Sequence, residues 1–359
     1  MKIVVACGGT GGHSFPGLAV AGELVRRGHE VVVWSSGRMI EASVMQGWKG
    51  ASFSTGARPL AMRNALPIAC SIIRCRREMR RSQPDVLIAM GSYSSLPPVL
   101  AARAFGVPIV LHEANTVPGR AIEFLARFAR QVAVSFEMTA KFLKGVKTVR
   151  TGLPVRPEIA HGQRFAFIPS DSFVVFVTGG SQGAHAVNVL MTEALALMKV
   201  ELDRRGQVKR PLYVIHQTGA ADEAMAIEAY SKAGIPSRVH AFEREMPSAF
   251  ASADMVVARA GASTCFELAT CGKPTLFIPL PSAMRNHQHF NAEAFVVSGA
   301  ADEGDQAKLS AHQACRYLLS RYDEPWRLER MAAAMRKLAT EDAAERVADL
   351  VEECGKARS

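Results

Sequence analysis

The sequence runs Ile3-Val4-Val5-Ala6-Cys7-Gly8-Gly9-Thr10 near its start, and 171 positions later it runs Val174-Val175-Phe176-Val177-Thr178-Gly179-Gly180-Ser181. Each stretch is a β-branched run that ends in two glycines, the pattern of a buried parallel strand followed by a tight turn. Two further pairs of stretches recur in the same order, Asp85–Ala89 with Asp254–Ala258 and Gly106–Val110 with Gly272–Leu276. Because three matches keep nearly one spacing, we predict an α/β chain built from two Rossmann-like halves with parallel sheets.

The length of the chain also indicates two domains. Its 359 residues, 48% of them hydrophobic and 21% charged, exceed the roughly 250–300 residues at which a single core stops growing. Thr151–Pro157 holds two prolines and a glycine after a strand-like stretch, which is typical of a linker. We therefore expect an N-terminal domain at residues 1–157 and a C-terminal domain at residues 158–339. Residues 340–359 have a helical pattern, and the sequence leaves open on which half they pack.

The chain is basic, with 43 lysines and arginines against 33 aspartates and glutamates and a net charge of +10. This surplus predicts a polyanionic partner: nucleic acid, anionic lipid or a phosphorylated small molecule. Nucleic acid is disfavoured, because aromatic residues make up only 7% of the chain and do not alternate with basic ones. The seven cysteines form no CxxC pair, which favours reduced thiols in a cytosol. We find no signal peptide pattern and no apolar window of about 20 residues, and therefore expect a cytoplasmic protein.

Two glycine-rich loops are the candidate anion sites. Gly8–His13 lies between a strand and an amphipathic stretch that starts near Pro16, so its backbone N–H groups and the dipole of the following helix can hold an anion. A tight turn without a ligand explains this loop equally well. Gly179–Ala184 adds the hydroxyl of Ser181 and the amide of Gln182, which can donate to phosphate oxygens, and here phosphate binding is the favoured interpretation.

Two common nucleotide motifs are missing from the sequence. Gly9–Ser14 ends in serine where the NAD fingerprint has its third glycine, and the strand His29–Trp34 is followed by two serines rather than by a carboxylate for the ribose. No GxxxxGK[ST] sequence occurs, which argues against a P-loop kinase. Glu267, which follows the strand Asp254–Ala258, suits a ribose diol, although a solvated glutamate at a helix start explains it as well.

Five motifs occur in order along most of the chain: Gly8-Gly9-Thr10-Gly11-Gly12-His13 with Phe15-Pro16-Gly17, His112-Glu113-Ala114-Asn115, Thr151-Gly152-Leu153-Pro154-Val155-Arg156, Gly179–Ala184, and Asn286-His287-Gln288 with Asn291-Ala292. This ordered set resembles the MurG family, the UDP-N-acetylglucosamine:undecaprenyl-pyrophosphoryl-muramoyl-pentapeptide N-acetylglucosaminyltransferases of peptidoglycan synthesis. The resemblance implies the GT-B architecture, in which two Rossmann-like domains face each other across a cleft. It also implies an inverting transfer of GlcNAc from UDP-GlcNAc to the 4-hydroxyl of the MurNAc-pentapeptide on undecaprenyl pyrophosphate, which converts lipid I to lipid II.

The resemblance further implies that the C-terminal half holds UDP-GlcNAc. The residues expected to contact it are Ser181 and Gln182 at the diphosphate, Arg156 as a compensating charge from the linker, Glu267 at the ribose hydroxyls, the backbone of Phe242 and Glu243 at the uracil, and His287 and Gln288 at the sugar hydroxyls. Negative charge grows on the leaving diphosphate, so donors aimed at it stabilise the transition state more than the ground state. We find no metal-ligand motif at a strand end and expect no required cofactor, although a free divalent cation can assist.

Deprotonation of the acceptor hydroxyl needs a base that titrates near neutral pH. His13, at the end of the first glycine loop, is the leading candidate, because imidazole titrates in that range. A histidine that only orients the loop or the acceptor is the competing interpretation. Glu113 is the second candidate for the base.

The acceptor carries a diphosphate of its own, and the resemblance implies that the N-terminal half binds it. The expected contributors are Thr10, Gly11 and Ser95, and Gly12 and Asn115 are further expected substrate-binding residues. The sequence departs from the family pattern in Gly91-Ser92-Tyr93-Ser94-Ser95-Leu96-Pro97-Pro98, which loses glycines beside Gly91, and at Ala114, where the family has glutamine. These departures bear on how the lipid diphosphate is bound.

An arginine-rich segment predicts contact with a membrane. Ala65–Arg81 combines apolar residues with a dense basic face, the apolar ones being Leu66, Ile68, Ile72, Ile73 and Met79. Such a segment suits an anionic leaflet, where each basic residue contributes about 1 kcal/mol. With a lipid-linked acceptor implied, we expect peripheral docking at the cytoplasmic face of the bacterial inner membrane.

Three other functions fit parts of the pattern. Another GT-B enzyme that glycosylates a lipid, such as a diacylglycerol glycosyltransferase, would share the nucleotide half and differ in the acceptor loops. A UDP-sugar epimerase fits His13 and His112-Glu113 less well. A non-catalytic regulator that binds nucleotide sugars would keep Ser181 and Glu267 but tolerate the loss of His13.

Overall fold

A computed structural model describes residues 1–9, 11–38, 45, 47–59, 61, 64–206 and 209–356. The chain divides into two compact units, Met1–Arg156 with Thr340–Ser359 and Pro157–Ala339. The boundary between them lies one residue before the one expected from the linker sequence. The final segment belongs to the first unit, a point that the sequence had left open.

The first unit is built on a seven-stranded sheet whose strands are all parallel. The strands are β1 (Lys2–Ala6), β2 (Glu30–Ser35), β3 (Ala51–Ser54), β4 (Val86–Ala89), β5 (Ile109–Glu113), β6 (Gln131–Val134) and β7 (Thr148–Arg150), in the spatial order β3-β2-β1-β4-β5-β6-β7. The helices between them are α1 (Gly11–Arg26), α2 (Ala65–Ser82), α3 (Leu96–Ala104) and α4 (Arg120–Leu125). The central strands are short and apolar because helices cover both faces of the sheet.

The second unit repeats this design with six parallel strands. They are β8 (Phe173–Thr178), β9 (Leu212–Gln217), β10 (Ser237–His240), β11 (Met255–Ala258), β12 (Thr275–Phe277) and β13 (Ala301–Glu303), in the order β10-β9-β8-β11-β12-β13. The helices are α5 (His185–Arg204), α6 (Glu223–Lys232), α7 (Met246–Ser252), α8 (Ala262–Cys271), α9 (His287–Val296), α10 (Ala311–Asp323) and α11 (Pro325–Arg336).

The two sheets confirm the predicted repeat. The stretches that match in sequence form β1 and β8, β4 and β11, and β5 and β12, which occupy equivalent places in the two strand orders. The matching aspartates even make the same bond, since Asp85 accepts the backbone N–H of Lys2 and Asp254 that of Val174, each at 2.7 Å. The order in which strands are added to the sheet reverses between β1 and β4 in the first unit and between β8 and β11 in the second. Both glycine loops therefore lie at a topological switch point, where this fold binds ligands.

The last helix, α12 (Ala343–Lys356), packs on the first unit and buries Val347 and Val351 in its core. Ion pairs fix its polar edge, with Arg27 Nη1 at 2.6 Å from Asp349 and His29 Nε2 at 2.9 Å from Glu352. The helix is therefore an integral part of the first unit, although almost 200 residues separate it from β7, the element of that unit that precedes it in the chain.

Two helices differ from the sequence-based expectation. Helix α1 begins at Gly11, not near Pro16, because the glycine loop is only a short turn and Pro16 is accommodated inside the helix. In α2, Met79 is buried in the core beside Cys75, so the expectation that Met79 belongs to a membrane-facing surface is wrong. None of the helices in the described part of the chain is both long and apolar enough to cross a bilayer.

Candidate active site

The first glycine loop joins β1 to α1. Gly9 has a φ of +96°, a left-handed conformation that favours glycine, and the helix begins two residues later. Gly12 is exposed in the first turn of α1, where backbone N–H groups point out of the end of the helix. Gly11 begins the helix, and Thr10, predicted to contact the acceptor, lies outside the described residues. The loop thus has the geometry of an anion site at a helix N-terminus.

His13 is held in one orientation by the end of the neighbouring strand. Its Nδ1 lies 2.9 Å from the carbonyl oxygen of Met90, which follows β4. A carbonyl only accepts, so Nδ1 carries the proton and the basic lone pair of the neutral ring is on Nε2. The ring also packs on Gly91, where a Cβ would lie 3.4 Å from two of its atoms. This geometry suits a general base that acts through Nε2.

His112 is a second histidine close to His13, and it is fully buried in β5. Its Nε2 donates to the carbonyl oxygen of Gly152 at 3.3 Å. Burial lowers the pKa of His112 to about 4, and the nearby His13 lowers it further. His112 is therefore neutral at physiological pH and attaches the segment around Gly152 to the sheet.

Glu113 fixes the turn that follows β5. Its Oε1 accepts the backbone N–H of Asn115 at 2.9 Å, and its Oε2 accepts that of Gly119 at 3.0 Å. Burial raises the pKa of this carboxyl, and the same N–H groups oppose the shift. Asn115 belongs to the same turn, because its Nδ2 also donates to Glu113 and its carbonyl accepts the hydroxyl of Thr139. These bonds favour His13 over Glu113 as the base.

The loop that loses the family's glycines lies directly against the first glycine loop. Ser94 Oγ donates to the carbonyl of Gly8 at 2.9 Å, and Ser95 Oγ donates to that of Gly91 at 2.5 Å. The hydroxyl of Ser95 thus maintains the loop itself. Tyr93 accepts a hydrogen bond from Arg38 at 3.0 Å, which brings a cation from the end of β2 to the same edge of the sheet.

Arg156 is the last residue of the first unit before the chain enters the second. Its guanidinium carbon lies 4.2 Å from the centre of the Phe15 ring, a cation–π contact with α1. The stacking orients a cation two residues along α1 from His13. The predicted role of Arg156 at the donor diphosphate stays a prediction.

The second glycine loop joins β8 to α5 and exposes the two side chains predicted to bind phosphate. Ser181 and Gln182 lie at its exposed tip, between Gly180 and Gly183, whose φ values are +87° and +75°. Gly183 has no room for a side chain, because a Cβ there would lie 1.9 Å from the carbonyl oxygen of Thr218. The loop is therefore pressed against the end of β9 and presents its tip at the start of a 20-residue helix.

Gln217, at the end of β9, ties this loop to the segment after β10. Its Nε2 donates to the carbonyl of Gly180 at 2.7 Å, and its Oε1 accepts the backbone N–H of Glu243 at 3.1 Å. The side chain is buried, with 3% exposure. Sequence reasoning missed Gln217, although an amide that ends the apolar run Leu212–Gln217 is a visible signal.

The segment predicted to read uracil is Phe242-Glu243. Glu243 is buried and accepts two hydrogen bonds from Arg238, at 2.8 and 3.1 Å, while its N–H is taken by Gln217. Phe242 has a side chain 54% exposed. Because these bonds hold Glu243 in place, we assign the predicted backbone contact with the uracil ring to Phe242.

Glu267 lies in the second turn of α8 and is buried, with 9% exposure, so the alternative of a solvated helix-start glutamate is disfavoured. Asn291, from α9, donates to the carbonyl of Ala260 at 3.0 Å and links α9 to the turn before α8. Gln288 Oε1 accepts the N–H of Leu280 at 2.9 Å, and His287 Nδ1 donates to the carbonyl of Met284 at 2.9 Å. The predicted sugar-binding residues thus also close their own loop.

The predicted donor-binding residues of the second unit therefore all follow the carboxyl ends of β8, β10, β11 and β12. His13, the first glycine loop and the loop from Gly91 follow β1 and β4 in the first unit. Among the described residues, no group of three or more histidine, cysteine, aspartate or glutamate side chains is arranged to hold a metal ion.

Comparison with known protein families gives a match for each half of the chain. Residues 3–134 match the Glycosyltransferase family 28 N-terminal domain, and residues 174–347 match the Glycosyltransferase family 28 C-terminal domain. Together the two matches span most of both units.

Individual relatives are similar over nearly their whole length. A protein of Geotalea uraniireducens named UDP-N-acetylglucosamine--N-acetylmuramyl-(pentapeptide) pyrophosphoryl-undecaprenol N-acetylglucosamine transferase is 36% identical over 97% of each chain. The protein of that name from Myxococcus xanthus is 36% identical over 98% of this chain and 92% of its own. The crystal structure of Acinetobacter baumannii MurG superposes with a TM-score of 0.77 at 29% identity, covering 98% of this chain and 99% of that one.

Proposed function

Because the chain belongs to the MurG family of glycosyltransferase family 28, we propose that it transfers GlcNAc from UDP-GlcNAc to the 4-hydroxyl of the MurNAc-pentapeptide of undecaprenyl-pyrophosphoryl-MurNAc-pentapeptide. The observation that carries this proposal is the match to MurG enzymes over 97–98% of the chain, and the two family matches include both glycine loops. The proposed transfer needs an acceptor site in one half of the chain and a donor site in the other. Similarity confined to one half would therefore support only one of the two substrates.

The second unit supports the donor side of the proposal. Ser181 and Gln182 extend from the loop in front of α5, where backbone N–H groups and the helix dipole favour a diphosphate. Glu267 is a buried carboxylate that can accept both ribose hydroxyls. As UDP leaves, charge accumulates on its phosphates, and these preorganised donors stabilise that charge.

The first unit supports the acid–base side. Nε2 of His13 takes the proton of the acceptor 4-hydroxyl while that oxygen attacks the anomeric carbon, and the configuration at this carbon inverts. The bond from Nδ1 to Met90 keeps the ring in the required tautomer. In this mechanism helix dipoles and side chains stabilise the leaving diphosphate, so the enzyme requires no bound cofactor, and a free divalent cation only stimulates it.

We further propose that the protein docks peripherally on the cytoplasmic face of the inner membrane, where a lipid-linked acceptor would be found. Helix α2 supports this: Leu66 is 74% and Ile73 51% exposed, and exposed arginines follow along the same helix. Exposed apolar side chains beside basic ones suit an anionic lipid surface.

A transfer assay with radiolabelled UDP-GlcNAc tests the proposal. Label that enters lipid only when a prenyl-pyrophosphoryl-MurNAc-pentapeptide is present supports it, and transfer that is reduced but not abolished by EDTA supports a mechanism in which a divalent cation stimulates but is not required. Label on diacylglycerol would instead identify the other lipid glycosyltransferase. Conversion of UDP-GlcNAc to its 2-epimer without any acceptor would identify an epimerase, and UDP binding without turnover would identify a regulator.

A further inference from the structure

Ser92 has a backbone conformation that serine rarely adopts. Its φ of 66° and ψ of 169° lie in a region that is essentially restricted to glycine and costs another residue about 1–3 kcal/mol. It stands in the loop where the sequence departs from the family's glycines. The backbone at Ser92 therefore has a conformation typical of glycine but carries a hydroxymethyl group.

The side chain of Ser92 lies over the first glycine loop. A Cβ built on Gly9 would lie 2.4 Å from Ser92 Oγ, so the hydroxyl is in direct contact with the backbone of Gly9. The preceding residue, Gly91, packs on the ring of His13. The hydroxyl therefore lies against the first glycine loop, one residue along the chain from a glycine that packs on His13.

The hydroxyl of Ser92 differs from those of its neighbours in its hydrogen bonding. The neighbouring hydroxyls of Ser94 and Ser95 each donate to a backbone carbonyl, at 2.9 and 2.5 Å. Within the described part of the chain, the Ser92 hydroxyl has no such partner, and the side chain is only partly buried. A strained residue whose side chain does not stabilise the protein points to a ligand.

We propose that Ser92 Oγ donates a hydrogen bond to a phosphoryl oxygen of the acceptor's lipid diphosphate, and that it replaces in part the backbone contacts of the lost glycines. The chemistry favours an anion, because Ser92 Oγ lies against Gly9, two residues before the N-terminus of α1, and the helix dipole favours negative charge there. Arg38, bonded to Tyr93 at 3.0 Å, adds positive charge to this loop. This inference rests on the proposed function, since the proposed acceptor is the ligand that carries such a diphosphate.

Two substitutions separate the hydroxyl from the strain. Ser92→Ala removes the hydroxyl and keeps a Cβ in the disfavoured conformation, whereas Ser92→Gly removes both. We expect the KM for the lipid acceptor to rise about ten- to hundredfold in both variants, as for the loss of a hydrogen bond to a charged group, with the KM for UDP-GlcNAc unchanged. We expect Ser92→Gly alone to melt at a higher temperature than the wild type, because the strain is relieved.

Gln83→Gly is the matched control, since Gln83 also has a positive φ, 45°. Gln83 caps the end of α2 before β4, whereas Ser92 follows β4. It should raise the melting temperature without changing either KM. An unchanged acceptor KM in both Ser92 variants, or a lower melting temperature in Ser92→Gly, would overturn the proposal.

A binding measurement separates this inference from the proposed function. Geranyl diphosphate should bind the wild type and Gln83→Gly alike, and should bind Ser92→Ala and Ser92→Gly at least tenfold more weakly. If the wild type transfers no sugar but this difference persists, the proposed function fails and the role of Ser92 stands. Equal binding by all four proteins would refute the role of Ser92 whatever the transfer assay shows.

Discussion

The side-chain amide nitrogen of Gln217 lies 2.7 Å from the carbonyl oxygen of Gly180 and donates a hydrogen bond to it. The oxygen of the same amide accepts the N–H of Glu243 at 3.1 Å. One buried side chain therefore connects the loop proposed to hold the diphosphate of UDP to the segment proposed to hold its uracil. We therefore expect the binding of both the diphosphate and the uracil of UDP to depend on its position.

We predict that Gln217→Leu weakens UDP binding about tenfold, because two hydrogen bonds worth roughly 1 kcal/mol each are lost and the two loops are no longer held together. Titration calorimetry with UDP measures this. Ser71→Ala is the control, as it removes one buried hydrogen bond of 2.8 Å to Thr55 in the first unit and should leave UDP binding unchanged. Wild-type affinity in a folded Gln217→Leu variant would contradict the coupling.

His13→Asn should lower kcat by about a hundred- to ten-thousandfold, the contribution typical of a general base. Asparagine can keep the hydrogen bond that Nδ1 makes to Met90, but it has no counterpart of Nε2. UDP binding should not change, and His312→Ala, at an exposed position of α10, should retain full turnover. Steady-state kinetics decide the matter: turnover within a factor of three of wild type would leave His13 an orienting residue only.

Glu267→Gln should reduce the affinity for UDP by roughly tenfold or more, since a hydrogen bond to a charged acceptor is worth about 1.5–3 kcal/mol. It should hardly affect 2′,3′-dideoxy-UDP, which lacks both hydroxyls. Competition binding with the two nucleotides gives the comparison. Glu228→Gln, at an exposed position of α6, serves as the control. Equal weakening of both ligands would mean that Glu267 supports the fold and not the ribose.

Acid should destabilise both units through buried histidines. Burial lowers the pKa of His112 to about 4 and that of His216 to about 3, so the unfolded chain binds more protons than the folded one. Stability is therefore lost as the pH falls from about 6.5 towards 4, and His112 alone accounts for about 2 kcal/mol between pH 7 and pH 5. In His112→Asn the difference in melting temperature between these pH values should shrink, whereas exposed His161→Asn should keep it. Circular dichroism at both pH values provides the measurement.

Reversing two charges on α2 should weaken membrane binding at least tenfold, because each arginine near an anionic surface contributes about 1 kcal/mol. The test variant is Arg76→Glu with Arg80→Glu, and the control is Lys209→Glu with Arg316→Glu, which changes the net charge equally on the second unit. Sedimentation with vesicles of 30% phosphatidylglycerol compares them. Similar losses in the two variants would attribute binding to overall charge, not to α2.

Much of the fold was readable from local sequence patterns. Asp85 and Asp254 recur because each begins a strand beside the first strand of its unit and bonds to that strand in the same way. The paired glycines after β1 and β8 recur because each follows a strand at a switch point. Such features depend on neighbours along the chain, and a repeat of them in one order is visible without coordinates.

The candidate site was readable only in part. The sequence already favoured His13 over Glu113 as the base, because imidazole titrates near neutral pH, and the structure adds the bonds that occupy both oxygens of Glu113 and the one that orients His13 towards Met90. Gln217 belongs to no motif, and although Ser92 stands in the loop from Gly91, its strain is a property of a backbone angle, not of a residue type.

The sequence by itself determined the number of units, their parallel sheets and the order of the glycine loops, since strand periodicity and turn residues act over a few neighbouring positions. Only the tertiary structure decided that α12 completes the first unit, that Gln217 joins two loops and that Ser92 lies on Gly9. These relationships join residues 26 to more than 300 positions apart. Their partners are selected by how strands and helices pack, which a local sequence pattern does not show.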